Sequence, residues 1–145
     1  MTYETFFQLS TLLVAPFWSL MIFAPKWQWT KRITASPWIA APPAFIFAAL
    51  TIPDLPELIP SLMQPSLDMI MDMFSTPKSA LAVWMYFLGF DLFLGRWIYL
   101  ETRERSRSLI WNGVMLAITF MFGPLGFLVY LIDRTFISRS TQAEA

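Results

Sequence analysis

In 145 residues the chain carries ten basic and ten acidic side chains, no Cys and no His, and it is 57% hydrophobic with only 14% charged residues. A soluble domain holds about a quarter charged residues, so this composition excludes a disordered chain, a disulfide framework, Cys/His zinc sites, and thiol or histidine catalysis. With no net charge there is no basic excess for nucleic acid, and what remains is an all-α integral membrane protein, a single membrane domain over residues 1–145.

A hydrocarbon core of about 30 Å takes about 20 apolar residues in helix. Thr5 to Pro25 is free of charge, which predicts a first membrane helix over 5–25. A cleaved signal would need a basic start and a small-residue cleavage site. Here Glu4 is the early charge, and Phe, Trp and Met continue to Pro25. There is no Arg- and Ser-rich transit extension either, so the chain reads as entering the membrane directly. Ile33 to Pro53 is the second charge-free stretch. Pro37, Pro42 and Pro43 crowd its start, which predicts a short or kinked helix within 37–53.

Residues 54–78 form the longest connection. Pro53, Pro56, Pro60 and Pro65 punctuate it; then Leu67, Ile70, Met71 and Phe74 repeat at helical spacing, with Asp68 and Asp72 on another face. This predicts a short interfacial amphipathic helix over 62–74 between helices 2 and 3. It reads either as a cap on the bundle or as a lid over a lateral entrance for a lipid-soluble ligand. Ser79 to Leu100, interrupted by Asp91 and Arg96, predicts a third membrane helix over 79–100. Ser108 to Ile132, free of charge, predicts a fourth over 108–132. Residues 135–145 read as a loose tail.

Lys and Arg placement sets orientation. Lys26, Lys31 and Arg32 fall in the first connection, Arg103, Arg105 and Arg107 in the third, and Arg96 near the same end. Lys78, Arg134 and Arg139 fall on the other side, with Asp54, Glu57, Asp68 and Asp72. Both termini are thus expected outside. Trp27, Trp29, Trp38, Trp97 and Trp111 lie near the basic side and read as an interfacial aromatic belt.

Asp91 is the most informative residue. It lies about 15 Å from the basic end of its helix at 1.5 Å per residue, near mid-bilayer. A charge there costs at least about 2.5–3.5 kcal/mol, so it should face the bundle with a partner or be protonated. It shares a stripe with Trp84, Leu88 and Gly95, by spacings of four, three and four. Gly95 leaves room for another helix or for a flat ligand. Asp91 reads as a helix-assembly group or as an acid. Arg96 is turned about 140° from it. It reads either as snorkelling to the interface or as reaching Glu101, Asn112 or the polar end of a ligand. Asn112, Thr119, Gly123 and Gly126 form a polar-and-small stripe, for packing or for a ligand, and Gly123, Pro124 and Gly126 should bend their helix. Glu101 and Glu104 mix with Arg103, Arg105 and Arg107 in a solvated surface. Asp54, Glu57, Asp68 and Asp72 lack the spacing of a calcium loop, and no phosphate loop, serine elbow or dinucleotide fingerprint is present. No metal or cofactor is expected.

The run Trp84-Met-Tyr-Phe-Leu-Gly-Phe-Asp91-Leu-Phe-Leu-Gly-Arg96, the charged Glu101-Thr-Arg103-Glu104-Arg105 and the later Phe122-Gly-Pro124-Leu-Gly126 resemble the family of small membrane proteins named for abscisic-acid deficiency, found in plastids and photosynthetic bacteria. The match covers roughly the C-terminal half; the first two helices agree in hydrophobic pattern alone. Plant members carry a histidine beside the tryptophan, where Met85 and Tyr86 stand here.

The resemblance implies about four membrane helices and a role in neoxanthin formation, in a thylakoid, a plastid envelope or a bacterial inner membrane. Violaxanthin to neoxanthin is a net isomerisation: an epoxide opens and a proton is lost to give an allene. It implies Asp91 as acid, Glu101 or Asp91 as base, and Arg96 steadying an alkoxide. Trp84, Gly95, Asn112, Thr119, Pro124 and Gly126 would line the substrate. Two other readings stay open. One is a non-catalytic accessory subunit of a membrane complex; the other is an oligomeric transporter using Asp91 as a proton site.

Overall fold

The computed structural model describes the backbone of residues 2–104 and 108–143, and side chains over 2–103 and 108–135. Arg105 and Arg107 lie outside the described residues, as do the side chains of Glu104 and Arg139. Every regular element described is helical. Among the described residues three stretches are long and apolar enough to cross a membrane: Tyr3–Phe23, Pro37–Met63 and Pro77–Arg103.

Helix α1 spans Tyr3–Phe23. Ser10, Val14, Trp18 and Met21 are its buried residues, a stripe spaced four, four and three. The first connection holds an element that sequence reading missed, the eight-residue α2 (Gln28–Ala35). Its signal was short but present, since Thr30 and Thr34 are buried while Lys31 and Arg32 are exposed.

The proline-rich second stretch is a series of restarts. A 3-10 turn at Pro37–Ala40 leads into α3 (Ala41–Thr51), another at Ile52–Asp54 leads into α4 (Leu55–Met63). Pro42, Pro53 and Pro56 sit in first turns, where a missing N–H costs little. Helical structure therefore continues past Pro53 to Met63 instead of stopping. After Pro65, Ser66 caps α5 (Leu67–Met73) by accepting from the Met69 N–H at 3.2 Å. The helix expected over 62–74 is thus divided between the end of α4 and α5.

Helix α6 (Pro77–Glu104) is the longest element, at 28 residues. The last apolar stretch departs most from expectation. The single helix over 108–132 is instead a hairpin of α7 (Leu109–Phe122) and α8 (Pro124–Ala143). Trp111 Nε1 donates to Asp133 Oδ1 at 3.1 Å; a continuous helix would hold residues 22 apart at about 33 Å. Gly123 makes the reversal with φ +32°, and Pro124 opens the returning helix. The four small and polar residues of the expected stripe therefore do not lie on one helix.

The chain divides into two compact units, residues 1–15 with 40–90, and residues 16–39 with 91–145. In the first, Trp84 Nε1 donates to Ser10 Oγ at 2.8 Å, and the Phe7 and Trp84 ring centroids are 5.2 Å apart. Pro43 lies close over Gly89, 3.6 Å from where a Cβ would stand. Lys78 Nζ reaches both oxygens of Asp54, at 2.6 and 2.8 Å.

In the second unit the indole of Trp18 fills the space beside Gly95, where any Cβ would collide with the ring. Gly126 and Thr119 bring α8 and α7 together so closely that a Cβ on Gly126 would overlap the Thr119 backbone. Arg134 meets Glu101 at 3.3 Å. This corrects the expected side of Arg134, because the hairpin returns it to the end of α6 that bears Arg103. Trp27, Trp29, Trp38 and Trp111 are exposed, as a belt requires. Trp97 instead packs edge-on against Tyr130, with centroids 5.2 Å apart.

Candidate functional site

The site grows from one conflict. Asp91 sits midway along α6, in a helix whose composition suits lipid, and a carboxylate in that position needs an electrostatic partner. What lies against it is the hairpin turn. A Cβ on Gly123 would overlap an Asp91 carboxylate oxygen, with the carboxyl carbon at 3.1 Å. Glycine at 123 therefore serves two needs at once, a positive φ and room for the acid. Gly123 immediately precedes α8, so the carboxylate lies beside a helix N-terminus, where the backbone presents about half a positive charge, while the Gly123 N–H is spent on the Thr119 carbonyl and Pro124 has none. Among the described residues no basic side chain pairs with Asp91.

Arg96 goes elsewhere. Its Nε donates to the Thr34 carbonyl at 2.7 Å and its Nη2 to the Ala35 carbonyl at 2.8 Å. These carbonyls end α2 and have no intrahelical donor, so the guanidinium acts as a C-terminal cap. The divergence of Asp91 and Arg96 follows from their five-residue spacing. Glu101 is held by Arg134. Neither is placed with Asp91.

The expected lining residues scatter. Gly95 is covered by Trp18. Thr119 is fully buried and donates to the Met115 carbonyl at 2.8 Å, which leaves it a packing partner of Gly126. Pro124 and Gly126 build the turn and the close helix crossing. Trp84 belongs to the first unit, where with Phe7, Phe74, Phe87 and Leu81 it lines an apolar cavity of about 430 Å³.

Asn112 is separate again. It is 8% exposed, its Oδ1 has no hydrogen-bond partner, and it lines a second cavity of about 590 Å³ with Lys26, Lys31, Tyr99, Arg103 and Leu109. An unmet buried acceptor costs about 1–3 kcal/mol. Sequence reading placed Asn112 near Arg96 in depth but missed the cavity, because α2 was not anticipated.

These features define a class: an all-helical protein with, among the described residues, three apolar helical stretches long enough to cross a bilayer and a carboxylate set against the turn of a helical hairpin. The chain belongs to the ABA DEFICIENT 4-like family, whose model matches residues 5–130. It is 28% identical over 142 residues to the protein ABA DEFICIENT 4, chloroplastic, of Arabidopsis thaliana, an alignment covering 91% of this chain and 61% of that protein. The chain thus spans about three-fifths of its relative's length. No solved structure matches it.

Proposed function

We propose that this is a multi-pass membrane protein that binds and isomerises an epoxy-carotenoid, with Asp91 as the acid–base group. The observation that carries the reading is Asp91 itself, a carboxylate in an apolar helix, set against a backbone turn and, among the described residues, without a cation beside it. Family membership supports the substrate class through the resemblance to neoxanthin-forming proteins.

A carboxyl group in this position can hold a proton, which epoxide opening needs at the oxygen. The bond from carbon to the epoxide oxygen breaks as that proton arrives. A neighbouring carbon then loses a proton, and the carboxylate left on Asp91 takes it. Atoms and charge balance without an oxidant or reductant. Arg96 caps α2 and Glu101 pairs with Arg134, so neither is assigned a step here.

The test incubates purified protein in lipid nanodiscs with violaxanthin and follows pigments by chromatography. The expected result is an allenic product that disappears in Asp91→Asn while helix content and thermal stability persist. Unchanged conversion in that variant would remove Asp91 from the chemistry. Failure of the wild type to bind or convert any epoxy-carotenoid would end the carotenoid reading.

A further inference from the structure

The cavity beside Asn112 is distinct from the Asp91 turn and answers to different chemistry. Lys26, Lys31 and Arg103 converge on it, and no acidic side chain lines it among the described residues. None of these three cations makes an ion pair with a described residue. Three like charges around one space repel each other unless an anion joins them.

The cavity is also built, not merely an opening between surface lysines. Tyr99 closes one wall, its hydroxyl donating to the Pro25 carbonyl at 2.7 Å, with Arg103 close to its oxygen. Thr30 ties α2 to the end of α1 by donating to the Ala24 carbonyl at 2.8 Å, which fixes Lys26 and Lys31 on either side of a set loop. Asn112 supplies the second observation. It is more than nine-tenths buried, it lines the cavity, and its carbonyl oxygen is unpartnered. Buried polar atoms in native proteins nearly always have partners. An unfilled acceptor calls for a ligand hydroxyl, whereas the cations call for a negative charge. Leu109 lining it, exposed Trp27 and Trp29 in the first connection, and exposed Trp111 in the first turn of α7 are residues suited to a membrane interface.

We infer that this cavity binds an anionic phosphate group that also bears a hydroxyl, as in the headgroup of an anionic glycerolipid. The phosphate oxygens would accept from Lys26, Lys31 and Arg103, and the hydroxyl would donate to Asn112 Oδ1.

The test uses the full chain in neutral detergent and measures binding by native mass spectrometry and tryptophan fluorescence. The probes are short-chain phosphatidylglycerol, phosphatidylmethanol (the same charge without a hydroxyl), phosphatidylcholine, and soluble glycerol 3-phosphate. Phosphatidylglycerol is expected to bind at least tenfold more tightly than phosphatidylcholine and several-fold more tightly than phosphatidylmethanol. The double variant Lys31→Gln/Arg103→Gln should weaken phosphatidylglycerol at least tenfold. Asn112→Leu should erase the preference over phosphatidylmethanol while leaving phosphatidylmethanol itself unchanged, a readout that misfolding does not imitate. Weak competition by glycerol 3-phosphate assigns the site to lipid, and tight competition assigns it to a free phosphate ester. Equal binding of all three lipids, or full phosphatidylglycerol affinity in the charge variant, would overturn the proposal.

Discussion

The unit formed by residues 1–15 and 40–90 and the unit formed by 16–39 and 91–145 share α1 and α6 but solve different problems. The first has one base against five acids; the second has nine bases against five. In the first, buried contacts are mostly rings and aliphatic chains, and Ser10 is its buried polar residue. The second buries Thr30, Thr34, Thr102, Asn112 and Thr119. The difference follows the backbone. In the first unit the prolines sit mostly where helices restart, so few main-chain groups need outside partners. The second contains a loop after α1, a short helix and a hairpin turn, and irregular backbone in an apolar setting requires side chains to complete its hydrogen bonds. Arg96 and Thr30 meet that need.

This contrast can be broken experimentally, and the largest effect should fall on the hairpin. Gly126→Val would drive a side chain into the Thr119 backbone and should cost roughly 3 kcal/mol or more, read as a large fall in melting temperature in detergent. Next, Arg96→Met keeps the stem but deletes two charge-assisted bonds, each worth about 1.5–3 kcal/mol. Faster hydrogen exchange should appear first in α2. Gly123→Ala should cost about 1–3 kcal/mol from strain at a positive φ. Part of its loss should vanish when combined with Asp91→Ala, because the overlap is with that carboxylate; additive losses would deny the contact. The smallest effect belongs to the first unit. Lys78→Ala removes a half-exposed pair with Asp54 and should cost no more than about 1 kcal/mol, less at high salt.

Much of this architecture was legible in the gaps between charges. Tyr3–Phe23 and Pro77–Glu104 follow from them, because a long apolar run has few alternatives to helix. Asp91 was legible for the same reason, as a charge where charge is expensive. The hairpin was not, although its signal was printed in Gly123-Pro124. A Gly-Pro step inside an apolar run marks either a kink or a reversal, and only the close contact of Gly126 with Thr119 decides between them. Arg96 was misread because its partners are carbonyls of α2, an element too short to stand out from its connection. The site at Asn112 was hidden for that reason too: Lys26 and Lys31 reach it through a fold of the loop that spacing along the chain does not disclose.

The central claim is that residues 109–143 turn back on themselves and present the turn to Asp91. The native chain has no cysteine, so the pair Trp111→Cys and Asp133→Cys can be cross-linked in lipid bilayers on a clean background. The account predicts rapid, near-complete cross-linking within one chain by a short bifunctional reagent. Spin labels at the same two positions separated by about 30 Å or more, with no intramolecular cross-link, would contradict it.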